Sequence, residues 1–490
     1  MQRKTFRNRF ALVLWIGGFL GILGLATLLE SCGSSTSLLP AVGAGSINVS
    51  MTDPPSCKYP NGDFTNVYVT VRSVQANMSA TAGDNSGGWV ELAPQLINQP
   101  MQVDLFAGGT NSCFLTMLGS NMALPAGNYQ QIRLLLVQNS GGSGPLPEVN
   151  HCNGQGFNCV VLHDGTIHQL NLSSQANTGL KIPPGQIVGG PISVGAGQDV
   201  DLNIDFNACA SIIQDGTGQY RLKPVLTAGQ VSTNRTGISG QVVDSVTHLP
   251  IAGGTAIVAL ERQDGTGTDT VFMQAATDSS GNFNFCPLPT GAVFDVVAVA
   301  TNGAVAYNAT VETGVPGGSN IGALPLVAET GGTPGPATFQ GFVTAASTGA
   351  PASVDALVSA IQAVPLTGGG TLPVTIPAEG ISVSNLSVNS ATDCPASAPA
   401  NTNCAQYKLI VPASNPSVGA YSTGTVSFST PVAGDVPYSI RANAFVPLSG
   451  GTPDCMPPSV TTTVDSNANP LLALPGTPIV PGEIDFSGCS

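Results

Sequence analysis

The sequence is poor in positive charge. Lysine and arginine together number 14 in 490 residues, and charged residues of both signs make up 9%. Water-facing helices need Glu, Lys, Arg and Gln on their outer sides, so a helix bundle or coiled coil is excluded. Histidine, with four residues, and tryptophan, with two, are also scarce. The first scarcity leaves few general bases and the second few flat platforms for sugar rings. Gly-x-Ser-x-Gly, His-Glu-x-x-His and the glycine patterns that cradle phosphates or dinucleotides are all missing. Disorder is excluded too, because 42% of the residues are hydrophobic. What the chain has in quantity is glycine (60) and proline (38). Turn formers in that number, on a chain this long, predict a β-rich protein of several domains.

Four of the fourteen basic residues stand together at Arg3, Lys4, Arg7 and Arg9, ahead of an apolar run from Phe10 to Leu29. A basic start, an apolar stretch and a small residue before a cysteine describe an export signal. Leu29, Ser31 and Cys32 resemble the bacterial lipobox, with Glu30 a departure at a position that is usually small or apolar. The resemblance implies cleavage after residue 31, lipidation of Cys32 and a flexible Gly/Ser tether over 32–46. The competing reading is an uncleaved membrane helix, since twenty apolar residues span a bilayer. Both readings put the bulk of the chain outside the cytoplasm, at a bacterial cell envelope. Removing the signal takes four basic residues and one acidic one, so the processed chain is more acidic than the −14 of the whole sequence. Such a charge repels nucleic acid and excludes it as a partner.

Without Cys32, ten cysteines remain, an even number suited to an oxidising compartment. Cys57–Cys113, Cys152–Cys159, Cys394–Cys404 and Cys455–Cys489 are the simplest pairings. Cys209 and Cys286 are left as a cross-domain bond or two free thiols.

From Ile47 onward the pattern is period-two alternation broken by turns, the signal of half-buried strands. Val67, Val69 and Val71 oppose Tyr68, Thr70 and Arg72, and Val200, Leu202, Ile204 and Phe206 oppose Asp201, Asn203 and Asp205. The fold class expected is all-β, with tandem β-sandwiches behind the N-terminal signal.

The first sandwich is expected over 47–231. Its motifs are Ser50-Met51-Thr52-Asp53-Pro54-Pro55, Gly88-Trp89-Val90-Glu91-Leu92, Val103-Asp104-Leu105, and Leu124-Pro125-Ala126-Gly127-Asn128-Tyr129-Gln130-Gln131-Ile132-Arg133-Leu134. They continue with Gly179 to Ile182, Ile204 to Ala208 and Tyr220-Arg221-Leu222-Lys223-Pro224-Val225. In this order they resemble a family of bacterial exported lipoprotein domains known only as a domain of unknown function, with Asn207 in place of the usual aspartate. The resemblance implies architecture and location, and no activity.

The second sandwich is expected over 236–326, with Gly240-Gln241-Val242-Val243-Asp244, Leu249-Pro250-Ile251-Ala252-Gly253, Thr277 to Phe283 and Leu288-Pro289-Thr290-Gly291. This resembles the regulatory-like domain found beside metallocarboxypeptidases, which implies a seven-stranded transthyretin-like sandwich and, by analogy with related folds, carbohydrate binding. Asp278 to Gly281 reads as a tight turn. After a linker at 327–337, Gln340-Gly341-Phe342-Val343 and Val436 to Ala444 echo the opening and closing of the second unit, so 338–490 is read as a diverged copy.

Three candidate sites stand against plainer readings. His151, His163 and His168 lie near Cys152, Cys159 and Asp164 and contain enough ligands for zinc. The spacing matches no standard zinc module, and a disulfide with His163 and His168 as a cross-strand pair is the expectation. Asp465-Ser466-Asn467-Ala468-Asn469 resembles half a calcium loop but has Pro470 and Gly476 where glycine and glutamate are needed. Asp201 and Asp205 share the face expected to meet solvent. No cofactor is expected. The functional expectation is a non-catalytic exported lipoprotein with a structural, adhesive or binding role. Its partners would be the membrane, through the anchor, and a glycan or envelope protein. The alternatives are a carbohydrate-binding surface protein, which would expose a platform on Trp89, Tyr68 or Tyr129, and a secreted hydrolase.

Overall fold

Alternation sets the strands, and the burial follows it. In Phe64–Asn77 the side chains of Val67, Val69 and Val71 are fully buried while Arg72 is exposed. In Asp199–Phe206, Val200, Leu202, Ile204 and Phe206 all point into a core. Each fully buried aliphatic side chain contributes roughly 1.5–3 kcal/mol. The computed structural model describes residues 43–52, 64–107, 115–142, 144–172, 179–214, 218–223, 225–231, 237–251, 256–302, 305–329, 335–366, 369–377, 385–444, 455–476 and 478–489. The signal segment, Cys32, Cys57 and Cys113 lie outside them. The expected all-β class holds, and among the described residues helix is confined to single turns such as Gln95–Asn98. Among the described residues no helix is long and apolar enough to cross a membrane.

An N-terminal sandwich encloses its core between two sheets. One is ordered Ile187–Val188, Leu226–Val231, Asp199–Phe206, Ala44–Thr52 and Thr116–Pro125. The other is centred on Phe64–Asn77, flanked by Gln131–Leu136 and Cys159–Leu162. The pair Ala44–Thr52 and Asp199–Phe206 is parallel, with Ser46 opposite Asp199 and Thr52 opposite Asp205.

A middle sandwich follows. Ile238–Asp244 pairs antiparallel with Asn282–Phe285 and parallel with Asn320–Leu326. In the facing sheet Ala256–Gln263 lies between Asp269–Ala276 and Val293–Asn302, and the latter pairs with Thr310–Pro316. The same scheme recurs after residue 336. Ala337–Ser347 pairs antiparallel with Asn403–Val411 and parallel with Ile484–Ser487. Val354–Pro365 lies between Thr371–Ile376 and Tyr438–Ala444, which pairs with Ser459–Thr462.

These two sandwiches share a sheet. Asp269–Ala276 meets Thr371–Ile376 at Asp269 and Val374, and Ser417–Ala420 covers the other edge by pairing with Thr310–Pro316. Open edges that would otherwise invite foreign strands are thereby closed. Both faces of the middle sheet are consequently buried: Val258, Leu260, Val296 and Ala298 face the middle core, and Ile257, Val297 and Val299 face the C-terminal one. Burial on two sides explains why Val296 to Ala300 reads as an unbroken apolar run.

Two further contacts fasten the N-terminal sandwich. Gly229 lies so close to the middle sandwich that a β-carbon there would sit 2.9 Å from Pro289 Cγ, and Thr290 N–H donates to Gln230 O at 2.9 Å. Arg221 grips Asp355 of the C-terminal sandwich with both terminal nitrogens, and its Nη2 donates to Ser387 Oγ at 2.9 Å. Planar, two-pronged recognition of this kind is the strong form of an ion pair.

Candidate binding cleft between two sandwiches

The histidines named from the sequence are dispersed. His151 stacks on Tyr68 with ring centres 5.0 Å apart, just before the loop closed by the disulfide Cys152–Cys159. His168 lies on Ile167–Leu172 opposite Val160 and packs on Tyr220 at 5.3 Å. His163 sits in the turn between the strands, so the two are not the expected cross-strand pair. Gly165 takes the positive φ there, and the Asp164 carboxylate accepts from Thr166. Those hydrogen bonds, first the Thr166 hydroxyl's, hold Asp164 below the usual carboxylate range. Among the described residues no group of three His, Cys, Asp or Glu is arranged to hold a metal.

Around Cys152 the chemistry is that of amides. Asn158 is buried, accepts from Thr70 N at 2.9 Å and donates to Val137 O at 2.8 Å. Gln102 Nε2 donates to Phe157 O at 3.0 Å, while its Oε1 accepts from His151 N at 2.6 Å. The network satisfies the backbone of an irregular loop. Sequence reasoning missed it, since single amides in loops carry no periodic signal. Cys394–Cys404 and Cys455–Cys489 are disulfides, and Cys286 is also disulfide-bonded. Asp465 folds its carboxylate back onto the N–H groups of Asn467 and Asn469, at 2.8 and 2.9 Å, with Ala468 at φ +63°.

The aromatic candidates do not form an open platform. Arg133 lies 4.2 Å over the ring of Trp89, whose Nε1 donates to Gly83 O at 3.2 Å. Tyr129 is buried with its hydroxyl on Pro125 O at 2.9 Å, and Tyr68 carries His151.

Asp201 and Asp205 depart from the expectation of a shared solvent face. Along the parallel pair Ala44–Thr52 and Asp199–Phe206, Ser46 donates to Asp199, Asn48 to Asp201 at 2.8 Å and Ser50 to Asn203 at 3.1 Å. At the next rung, Asp205 is 4% exposed and neither carboxylate oxygen has a hydrogen-bond partner. The middle sandwich covers it. Burial drives its pKa up to about 8, because a desolvated carboxyl favours its neutral form.

Asp205 lines a cleft of about 310 Å³ between the N-terminal and middle sandwiches. From the first come Gln186, Val188, Asn207 and Thr227, and from the second Arg262, Asp264, Thr270 and Phe272. Thr227 is the register partner of Asp205 on Leu226–Val231. Gln186 precedes Ile187, which pairs with Ala228, so it stands beside Thr227 on the next strand. Gln186, at the end of the turn Pro184–Gln186 that leads into Ile187–Val188, thus continues the row that Thr227 and Asp205 form on their two strands. Gln186 Oε1 and Thr227 Oγ1, like both Asp205 oxygens, are buried without a partner. Buried polar atoms in native proteins are nearly always satisfied, so a row of orphans on the wall of a cleft marks a binding-site candidate.

Residues 44–224 match the family described as "Domain of unknown function (DUF4382)". No curated protein matches the chain. Among solved structures, the Bacillus anthracis TIE protein is similar at 11% identity and a TM-score of 0.16, over 91% of this chain and 50% of that one. The chain therefore spans half the length of that protein. The shaft pilin SpaA from Lactobacillus rhamnosus GG is similar at 9% identity and a TM-score of 0.17, over 59% of this chain and 98% of that one. At such scores neither likeness carries an argument.

Proposed function

We propose that the chain is a lipid-anchored, non-catalytic protein of the bacterial cell envelope, in which the sandwiches form a structural or adhesive stalk-and-display unit. The observation that carries this reading is the way the modules interlock. The middle and C-terminal sandwiches share one sheet, and strand Ser417–Ala420 is lent by one to close the edge of the other. Arg221 ties the N-terminal sandwich to the C-terminal one through Asp355. A construction whose modules cannot separate without shearing paired strands suits a part that bears load or holds a surface in place. The segment from Arg3 to Cys32 supplies the anchor in this reading, and two or three acyl chains, at about 0.8 kcal/mol per buried methylene, would hold it firmly.

Growth of an expressing bacterium with alkyne-palmitate tests the anchor. Label is expected on the wild-type chain and lost in Cys32→Ala, and label that survives the substitution overturns the lipoprotein assignment. Comparing attachment of cells with and without the chain to host or envelope surfaces tests the adhesive role. A glycan array with the processed chain separates this reading from a carbohydrate-binding one. With Arg133 on the Trp89 ring, no selective glycan is expected.

A further inference from the structure

The orphaned row has a definite chemistry. Asp205 offers two acceptor oxygens, Gln186 one and Thr227 a hydroxyl, and none of these oxygens receives a donor from the protein. What they lack is a compact group rich in N–H donors, and one that carries positive charge would compensate a buried carboxylate. The rest of the cleft is different. Arg262 lines it, and burial lowers the pKa of this guanidinium with no carboxylate acting against that shift. The remaining charged lining residue, Asp264, accepts from Thr266 and Thr268 of its own turn and pairs with Arg441 at 3.2 Å. Asp201, four residues before Asp205 on the same face, is held by Asn48. Asp205 and Arg262 are therefore the two charge-bearing groups of the cleft that are not engaged by these contacts. The Phe272 side chain lines the same space. The cleft has room for a small organic molecule.

We propose that this cleft binds a small amphoteric molecule, with a protonated amine seated on Asp205, Thr227 and Gln186, a carboxylate on Arg262 and an aliphatic body along Phe272. An ammonium has three donors to distribute over the row, which a hydroxyl does not. The charge order also disfavours simple anions, because they would face Asp205, and diamines, because their second ammonium would face Arg262. Binding is coupled to protons. The empty carboxyl is held neutral by burial up to about pH 8, so seating an ammonium releases its proton. The site is independent of whether the chain is an adhesin.

Calorimetric titration of the whole processed chain with 6-aminohexanoate, hexylammonium and hexanoate tests this. The first is expected to bind with a millimolar or lower Kd, hexylammonium at least threefold more weakly, and hexanoate not detectably. Affinity for 6-aminohexanoate should rise severalfold from pH 6 to pH 8, with proton release visible as a dependence of the heat on the buffer. D205N, which keeps the shape and neutrality of the empty site, should lower affinity at least tenfold and remove the pH dependence. T227V should weaken binding severalfold. R262M should abolish the advantage of 6-aminohexanoate over hexylammonium. Absence of binding at 10 mM, equal binding of hexanoate, or equal affinity in a folded D205N each overturns the proposal.

Discussion

At the scale of single residues, Asp205 combines burial with an unpartnered carboxyl, and this has a consequence for stability. Its folded pKa of about 8 lies above its ordinary value of 3.8. Between those values the folded chain holds a proton that the unfolded chain has released, so stability falls as pH rises through this window and the loss is complete above it. An asparagine cannot ionise. D205N is therefore expected to melt at least ~2 °C above wild type at pH 8.5 and to lose that advantage by pH 4, as followed by calorimetry of the two proteins side by side. Trp89 gives a second reading at this scale. Arg133 covers its ring and also donates to Gln75 Oε1 at 2.6 Å. R133A should shift the Trp89 emission toward the red as water reaches the indole, and an unchanged spectrum would show that the ring is covered by something else.

At the scale of elements, the turn over Asp278 to Gly281 shows how locally a hairpin is specified. Gly281 N–H donates to Asp278 O at 2.9 Å, and the Asp278 side chain accepts from Ser280 and Asn282. Gly281 has φ +76°, and a β-carbon there would lie 2.6 Å from Val242 O. Backbone strain and a clash with main chain reinforce each other, so G281A is expected to destabilise the chain by about 1–3 kcal/mol, measurable as a lowered denaturant midpoint. Residues Asp278 to Phe283 made this turn legible in the sequence, since the demand is met by neighbours along the chain. The seam between the middle and C-terminal sheets was not legible. Glu261 is fully buried there and accepts from Thr375 N at 3.1 Å, while Thr375 Oγ1 donates to Asp269 O at 2.7 Å. Burial, and then the charge of Asp269, holds the Glu261 pKa well above the usual range. Nothing about a glutamate in Ala256–Gln263 announces a partner more than a hundred residues away.

At the scale of the whole molecule these groups add. Asp205, Glu261, Asp269 and Glu312 all have raised pKa values, Asp269 to about 8 and Glu312 to about 7, chiefly because burial penalises their charge. By the same sign argument, each contributes stability at mildly acidic pH that declines toward pH 8. The melting temperature of the intact chain is expected to be higher at pH 5 than at pH 8, and a profile rising with pH would contradict the buried assignments. Covalent links act at this scale as well. The loop closed by Cys455–Cys489 spans 34 residues and that closed by Cys152–Cys159 spans 7. Chain entropy then predicts about 4 kcal/mol lost on removing the first pair and about 2 kcal/mol on removing the second, to be compared as C455A/C489A and C152A/C159A in denaturant titrations. The sequence by itself determined the all-β class, the faces that Val200, Leu202, Ile204 and Phe206 share, and the glycine-demanding turns, because period-two alternation and turn chemistry act between near neighbours. Only the tertiary structure decided that the polar face carrying Asp205 would be covered by Phe272 and its sandwich. Alternation states which residues point the same way, whereas what lies over them depends on contacts between segments far apart in the chain.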